Sequence, residues 1–202
     1  MNPIEKSATI YSTKNITRIS LLSVIAFLLM YVEVPLTFIA PPFIKLDLSD
    51  MPALIGGFAM GPLVGASIEF IKCVLIFFVR GTTTGGVGEL SNFIVGAIFV
   101  ATSSVFYRRH KTYSGAVLGL FLGVMGMTAF ATLSNYFVVF PLYGKIMPMD
   151  AIIEMGRAVT SRVDSLWDLM IYCIVPFNLV KGFITSIVTL VLYKRVSYLL
   201  HR

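Results

Sequence analysis

The sequence predicts an all-α integral membrane protein: one domain over residues 1–202, six transmembrane helices, and a long apolar loop between helices 1 and 2 acting as a lid. Three observations lead there. Of the residues, 57% are hydrophobic and 13% charged, half the charged share of about 25% usual in soluble domains. The apolar residues gather into stretches of membrane-spanning length, about 20 residues each. The basic residues bunch between and beyond those stretches, as they do in cytoplasmic segments of membrane proteins.

The apolar segments run roughly over Ile16–Val32, Met51–Val79, Val87–Tyr107, Tyr113–Phe140 and Leu169–Tyr193. Four have the length of one helix. The second, 29 residues long, decides the topology. If it crossed once, Arg108, Arg109 and Lys111 would lie opposite Lys6, Lys14 and Arg18. If it is a hairpin, broken at Gly56-Gly57 or Gly61-Pro62, those two clusters share one face with Lys194, Arg195 and Arg202. Glycine and proline are the natural breakers, so the prediction is helices at about 16–32, 51–60, 62–79, 87–107, 113–140 and 169–193, with both termini cytoplasmic. The short arm of the hairpin is tolerable only where its end is buried in protein or lines a cavity. The polar N-terminus carries no cleavable-signal pattern, so the first apolar run stays as a helix.

The same charge placement argues against nucleic acid, which would require an extended basic face with stacking aromatics. Cys73 and Cys173 sit in apolar segments without a CxxC pair and read as small buried hydrophobes. There is no GxSxG, HExxH or carboxylate pair on one helical face, and His110 and His201 fall in a loop and the tail. No catalytic residue, metal or cofactor is expected.

Lys181, in Pro176-Phe-Asn-Leu-Val-Lys-Gly182, lies near the middle of the last apolar segment. A charge at that depth costs at least about 2.5–3.5 kcal/mol and is rarely kept without a role. It either pairs with a carboxylate to lock helices together or faces a ligand. Asn135, near the outer end of the fifth helix, presents an acceptor and two donors in one plane, matching an amide- or imide-containing heterocycle. Lys181 presents only donors, suited to a carbonyl or anionic oxygen.

The predicted outer loops are Glu33 to Asp50, Arg80 to Gly86 and Pro141 to Asp168. The first holds Leu36, Phe38, Ile39, Phe43 and Ile44 among three prolines, too apolar for a solvated connection, and so folds over something apolar or rests on lipid. Ser49 or Asp50 suits the N-cap of the next helix, with Pro52 in its first turn. Gly81-Thr-Thr-Thr-Gly-Gly-Val-Gly-Glu-Leu-Ser-Asn92 lacks the Gly-Lys-Ser/Thr ending of a P-loop, but its glycines permit close backbone approach, with N–H groups available to ligand oxygens. Gly88, Glu89 and Asn92 thereby join Asn135 and Lys181 as candidate ligand residues, and Asp47 of the first outer loop is a further candidate. Glu69 and Lys72, three apart, are expected to pair with each other. Ser20, Ser23 and Ala26 form a small-residue stripe for close packing, within the bundle or against a partner.

Taken in order, Lys45-Leu-Asp-Leu-Ser-Asp-Met-Pro-Ala-Leu-Ile-Gly56, Gly61-Pro-Leu-Val-Gly-Ala-Ser-Ile-Glu-Phe-Ile-Lys72, Gly86-Val-Gly-Glu-Leu-Ser-Asn-Phe93, Asn135-Tyr-Phe and Pro176-Phe-Asn-Leu-Val-Lys-Gly182 resemble the riboflavin-specific substrate-binding subunits of energy-coupling-factor (ECF) vitamin transporters. The resemblance extends from about Arg18 to Lys194. It implies a six-helix protein of the bacterial cytoplasmic membrane that binds riboflavin from outside beneath its first long loop. It also implies docking on a transmembrane coupling subunit with two ATP-binding subunits, and no hydrolysis by the chain itself. Asn135 and Lys181 match positions that bond the isoalloxazine ring, and backbone around Ile39, Ala40 and Gly88 would meet the ligand. The family often docks through an Ala-x-x-x-Ala stripe on helix 1, from which the spacing of Ser20, Ser23 and Ala26 departs.

Overall fold

The structure, a computed structural model, describes residues 12–82 and 84–201, with side chains described through Tyr193. Lys6 and Arg202, and the side chains of Lys194 and Arg195, lie outside the described residues.

Among the described residues the structure is all-α apart from one small ribbon. Its elements are α1 (Thr13–Tyr31), β1 (Val34–Pro35), β2 (Lys45–Leu46), α2 (Asp50–Met60), α3 (Pro62–Val79), α4 (Val87–Arg109) and α5 (Tyr113–Ser134), followed by α6 (Phe140–Tyr143), α7 (Met149–Arg157), α8 (Leu166–Leu169) and α9 (Val175–His201). A π turn, Asn135–Val139, joins α5 to α6, and a second, Met170–Ile174, joins α8 to α9. Among the described residues five helical stretches are long and apolar enough to cross a membrane: Thr13–Tyr31, Pro62–Val79, Val87–Arg109, Tyr113–Tyr143 and Leu166–Tyr193.

The first and last helices begin about three residues earlier than the apolar pattern suggests, because polar caps precede the apolar run. The Ser12 side chain accepts the Asn15 N–H, and Ser165 forms a capping box with Asp168. The helical stretch that begins with α5 runs on to Tyr143 because the π turn absorbs an extra residue without breaking the rod.

The long second segment breaks at Gly61, not at Gly56-Gly57. Gly61 takes φ 120° and ψ 165°, where a side chain is strained, and Pro62 opens α3. Gly57 lies inside α2 and serves packing: a Cβ there would press into Ser104 of α4. The 11 residues of α2 rise about 16 Å, roughly half a hydrocarbon core. It survives by burial, with every residue from Pro52 to Phe58 shielded.

Contacts sort the ends of the bundle into two faces. On one, the Tyr107 and Tyr193 hydroxyls bond at 3.0 Å, the Phe58 ring packs on both, and Gly61 backs onto the Arg108 guanidinium. On the other, Glu33 just beyond α1 meets Arg80 at the end of α3 and Lys45 of β2, and Gly88 faces Tyr143. The break at Gly61 and the loop after Arg109 thus share a face, as the hairpin requires.

The core has two parts. The larger joins Leu22 and Ala26 of α1, Leu54 and Phe58 of α2, Ile68 of α3, Phe99 and Val100 of α4, and Leu120, Val124 and Met127 of α5. Helices α4 and α5 approach closely through Gly119 and Gly123, where a Cβ would lie 2.6 Å from the Ser103 carbonyl oxygen and 2.9 Å from that of Phe99. The smaller part, Phe140, Ile152, Val163, Leu169, Met170, Cys173 and Ile174, anchors the segment between α6 and α9 at the second face. Ser23 and Ala26 are buried in the first part while Ser20 is exposed, so the small-residue stripe of α1 is used within the bundle.

Candidate functional site

Between the two cores lies a cavity of about 210 Å³. Its polar lining includes Asn92 of α4, Asn135 at the start of the first π turn, and Asn178 and Lys181 of α9. Its apolar wall includes Val95, Met127, Ala131, Val139, Phe140, Ile174 and Phe177. Phe43, Ile44 and Lys45 reach it from the loop after α1. That loop is drawn together by the antiparallel pairing of Val34 with Leu46 and Pro35 with Lys45, and the Phe43 ring meets Phe140 edge-on at 6.2 Å. A second, more apolar chamber of about 470 Å³ shares Phe43 and Tyr143 with the first and is lined also by Ile146, Met147, Ile152 and Met155.

The two asparagines are prepared alike. Asn135 Nδ2 donates to the Ala131 carbonyl at 2.7 Å, and Asn178 Nδ2 to the Ile174 carbonyl at 2.8 Å. Each amide then keeps one N–H and its carbonyl oxygen for other partners. Both bonds run to the residue four positions earlier, beside a π turn. Such turns widen a helix locally and recur at functional sites.

Lys181 is both paired and lining. Its Nζ lies 3.0 Å from Asp47 Oδ2 and 3.4 Å from Asp50 Oδ2, leaving one of three donors unassigned. Asp50 turns its other oxygen to Lys72 Nζ at 2.8 Å, and Lys72 also donates to Ser49 Oγ at 2.9 Å and lies 2.5 Å from Glu69 Oε2. Lys72 and Glu69 have no exposed side-chain surface, and Asp50 has 2%. The expected Glu69–Lys72 pair therefore exists within a five-membered cluster. Gly96 makes room for it: a Cβ there would sit 2.6 Å from Glu69 Oε2.

Several expectations change. The Ser49 side chain does not cap α2; it donates to Asp47 instead, and Asp47 Oδ1 also accepts the Ser49 N–H at 2.8 Å, an Asx turn directly ahead of the helix. Asp47 and Asp50 are buried rather than displayed in an outer loop. Of the candidate ligand residues, Asn135, Lys181, Gly88 and Asn92 line the cavity, and Asp47 stands behind Lys181. Ile39, Ala40 and Glu89 are not among the lining residues; Phe43, Ile44 and Lys45 take the place expected of Ile39 and Ala40. Glu89 Oε2 accepts from the Thr82 and Thr84 hydroxyls and organises its own loop. The Gly88 N–H expected to be available already donates to Thr84 Oγ1 at 3.1 Å. Asn178, not singled out from sequence, lines the cavity; its position three residues before Lys181 is the signal that would have found it.

At the base of the loop Glu33 accepts from Lys45 at 2.5 Å and from Arg80. Partial burial pushes its carboxyl up, but the hydrogen bonds and charges of Arg80 and Lys45 outweigh this and hold it below its usual value.

By class this is a multi-pass α-helical membrane protein with a polar-edged cavity between its helices. Residues 14–193 match the family model of the ECF transporter substrate-specific component. The chain is 33% identical over 190 residues to the riboflavin transporter RibU of Staphylococcus aureus (strain TCH60), covering 94% of this chain and 93% of that one. It is 31% identical over 176 residues to the riboflavin transporter FmnP of Bacillus subtilis (strain 168), covering 87% of each. A solved structure described as "Structure and mechanism of the S component of a bacterial ECF transporter" superposes with a TM-score of 0.71 at 32% identity, over 93% of this chain and 97% of that one. The chain belongs to the substrate-specific components of ECF transporters, a family of transport proteins and not of enzymes.

Proposed function

We propose that this chain is the riboflavin-binding component of an ECF transporter. The observation that carries the proposal is the polar edge of the cavity: Asn135 and Asn178, each with a donor and an acceptor unspent, beside the remaining donor of Lys181. An isoalloxazine ring presents carbonyl oxygens flanking an imide N–H along one edge, and these groups complement that set. The rest of the ring is apolar and flat, suited to the walls formed by Val95, Met127, Ile174 and Phe177. The inner chamber alone is smaller than the about 300–1,000 Å³ of small-molecule sites, so the ligand extends toward the adjoining apolar chamber. The loop carrying Phe43 to Lys45 closes over it as a lid.

The site works by capture and not by chemistry. Asn135, Asn178 and Lys181 fix the polar edge, Asn92 and Gly88 border it, Asp47 orients Lys181, and the apolar walls exclude water. In this reading the chain crosses the bacterial cytoplasmic membrane six times, with α2 as the short arm of a hairpin. The face carrying Arg108, Arg109 and Lys111 is cytoplasmic by the positive-inside rule, which puts both termini there. The chain docks on the transmembrane coupling subunit, whose two ATP-binding subunits supply the energy for release.

The test is the absorption spectrum of the protein purified in detergent. Flavin bands, with fluorescence quenched while bound and restored on denaturation, are expected. A colourless protein that also fails to quench added riboflavin would overturn the proposal.

A further inference from the structure

The cavity wall does not explain Lys72. It lies on α3, is fully buried, and does not line the cavity, yet it occupies the centre of the charge cluster. Its Nζ donates to Ser49 Oγ and Asp50 Oδ1 and forms an ion pair with Glu69 Oε2 at 2.5 Å. Asp50 is the shared member: one oxygen faces Lys72 at 2.8 Å and the other faces Lys181 at 3.4 Å. The nearer cation holds the carboxylate. Lys181 is held at shorter range by Asp47, at 3.0 Å.

We infer that Lys72 is a positioning residue for ligand binding: by neutralising Asp50 it keeps that carboxylate from closing on Lys181, so that the Lys181 ammonium keeps its place at the cavity wall. Without the Lys72 charge, Asp50 is a buried anion whose remaining cationic neighbour is Lys181. In a low-dielectric interior an unpaired carboxylate moves to the nearest cation or remains at high cost. Closing the gap from 3.4 Å to hydrogen-bond range would clamp the Lys181 ammonium between Asp47 and Asp50 and draw it back from the cavity. The ligand oxygen would then reach for a single remaining donor on an ammonium held away from it by two carboxylates. The inference extends the riboflavin reading by adding a residue that touches no ligand.

The test is a set of variants compared for riboflavin affinity in detergent, each checked for its helical circular dichroism. Lys72→Gln keeps a donor for Ser49 and Asp50 but removes the charge. It is expected to weaken binding by about tenfold, a coupling of ordinary size for groups in one network. Adding Asp50→Asn removes the rival anion, and the paired variant is expected to recover affinity to within about threefold of wild type. In a Lys181→Met background, Lys72→Gln is expected to have no further effect. A purely structural Lys72 would give no recovery with Asp50→Asn and equal losses with and without Lys181.

Lys72→Gln binding as wild type does would overturn the inference, as would a folded Lys72→Gln/Asp50→Asn protein binding no better than Lys181→Met. If Lys72→Gln does not fold, the paired variant, which loses both members of an ion pair, supplies the deciding comparison. Wild type failing to bind riboflavin would sink the proposed function instead. The ¹⁵N resonance of the Lys181 ammonium in ligand-free protein then decides: the inference requires it to shift in Lys72→Gln and to return with Asp50→Asn.

Discussion

Replacing Lys72 with methionine and replacing Glu69 with glutamine delete opposite charges 2.5 Å apart, yet their expected effects on stability differ greatly. The cluster holds two ammonium groups, on Lys72 and Lys181, and three carboxyls, on Asp47, Asp50 and Glu69. Lys72→Met leaves Lys181 alone among three buried carboxyls and takes the donor from Ser49 Oγ and Asp50 Oδ1. Breaking a buried pair in this way costs about 3–5 kcal/mol. Glu69→Gln removes the surplus carboxyl, which is ion-paired to Lys72 and has no hydrogen-bond partner among the described residues. The Lys72 charge then remains matched by Asp50. The lost attraction is offset by the removed repulsion and by easier burial of an amide, so a change within about 1 kcal/mol is expected. The assay is thermal unfolding in detergent without ligand, followed by circular dichroism. Equal destabilisation by the two variants would refute the reasoning, because it would mean that the cluster responds to any lost contact and not to charge balance.

Three further outcomes are expected. Gly61→Ala forces a side chain into φ 120° and against the Arg108 guanidinium, costing about 1–3 kcal/mol in the same unfolding assay; an unchanged midpoint would argue against the break as described. Stability should fall as pH drops below about 4.5, the usual value of the Glu33 carboxyl. Its folded value is lower, so the contribution is complete above the unfolded value and vanishes as pH falls through the folded one. Glu33→Gln should flatten that limb by no more than about 1 kcal/mol for pairs this exposed, and an unaltered pH profile would contradict the role. Asn178→Ala should weaken riboflavin binding about five- to 150-fold, the cost of leaving one polar group of a buried ligand unmatched, while binding at wild-type strength would remove Asn178 from the site.

The membrane class and the order of the helices were legible because they follow from hydropathy and from where positive charge collects. The break in the second segment was legible because a single crossing would have set the basic clusters on opposite faces and because the segment contained glycine next to proline. The cluster was less so. Glu69 and Lys72 share a helical face and could be paired from spacing alone, but Asp50 reads locally as a helix-start residue. Only the packing of α2 against α9 reveals that Asp50 also serves Lys181, 131 positions away. The Gly88 N–H misled in the opposite direction: a glycine-rich loop promises open donors, while its threonines had already taken that one. Asn178 was overshadowed by the charge three residues later. Its role depends on the π turn that precedes it, and nothing in the Met170–Ile174 composition announces a π turn.

The placement of the cluster bears on why it is retained. Apolar replacements of buried ion pairs are often neutral or stabilising, so stability alone is a poor reason to keep five charged groups among membrane helices. What the cluster does join is specific. Asp47, Ser49 and Asp50 end the loop that begins at Glu33; Glu69 and Lys72 belong to α3; Lys181 belongs to the wall of the cavity. A ligand that engages Lys181 therefore draws on the same charges that fix the end of that loop, while Glu33, Lys45 and Arg80 fix its beginning. Loop position and ligand contact become terms of one electrostatic balance. Shifting either must shift the other by the same coupling energy. If this holds, riboflavin should protect the backbone amides of residues 33–49 from hydrogen exchange in wild type, and the protection should shrink in Lys181→Met by more than the lost occupancy accounts for. Equal protection at equal occupancy would separate the loop from Lys181 and leave the cluster as a structural anchor.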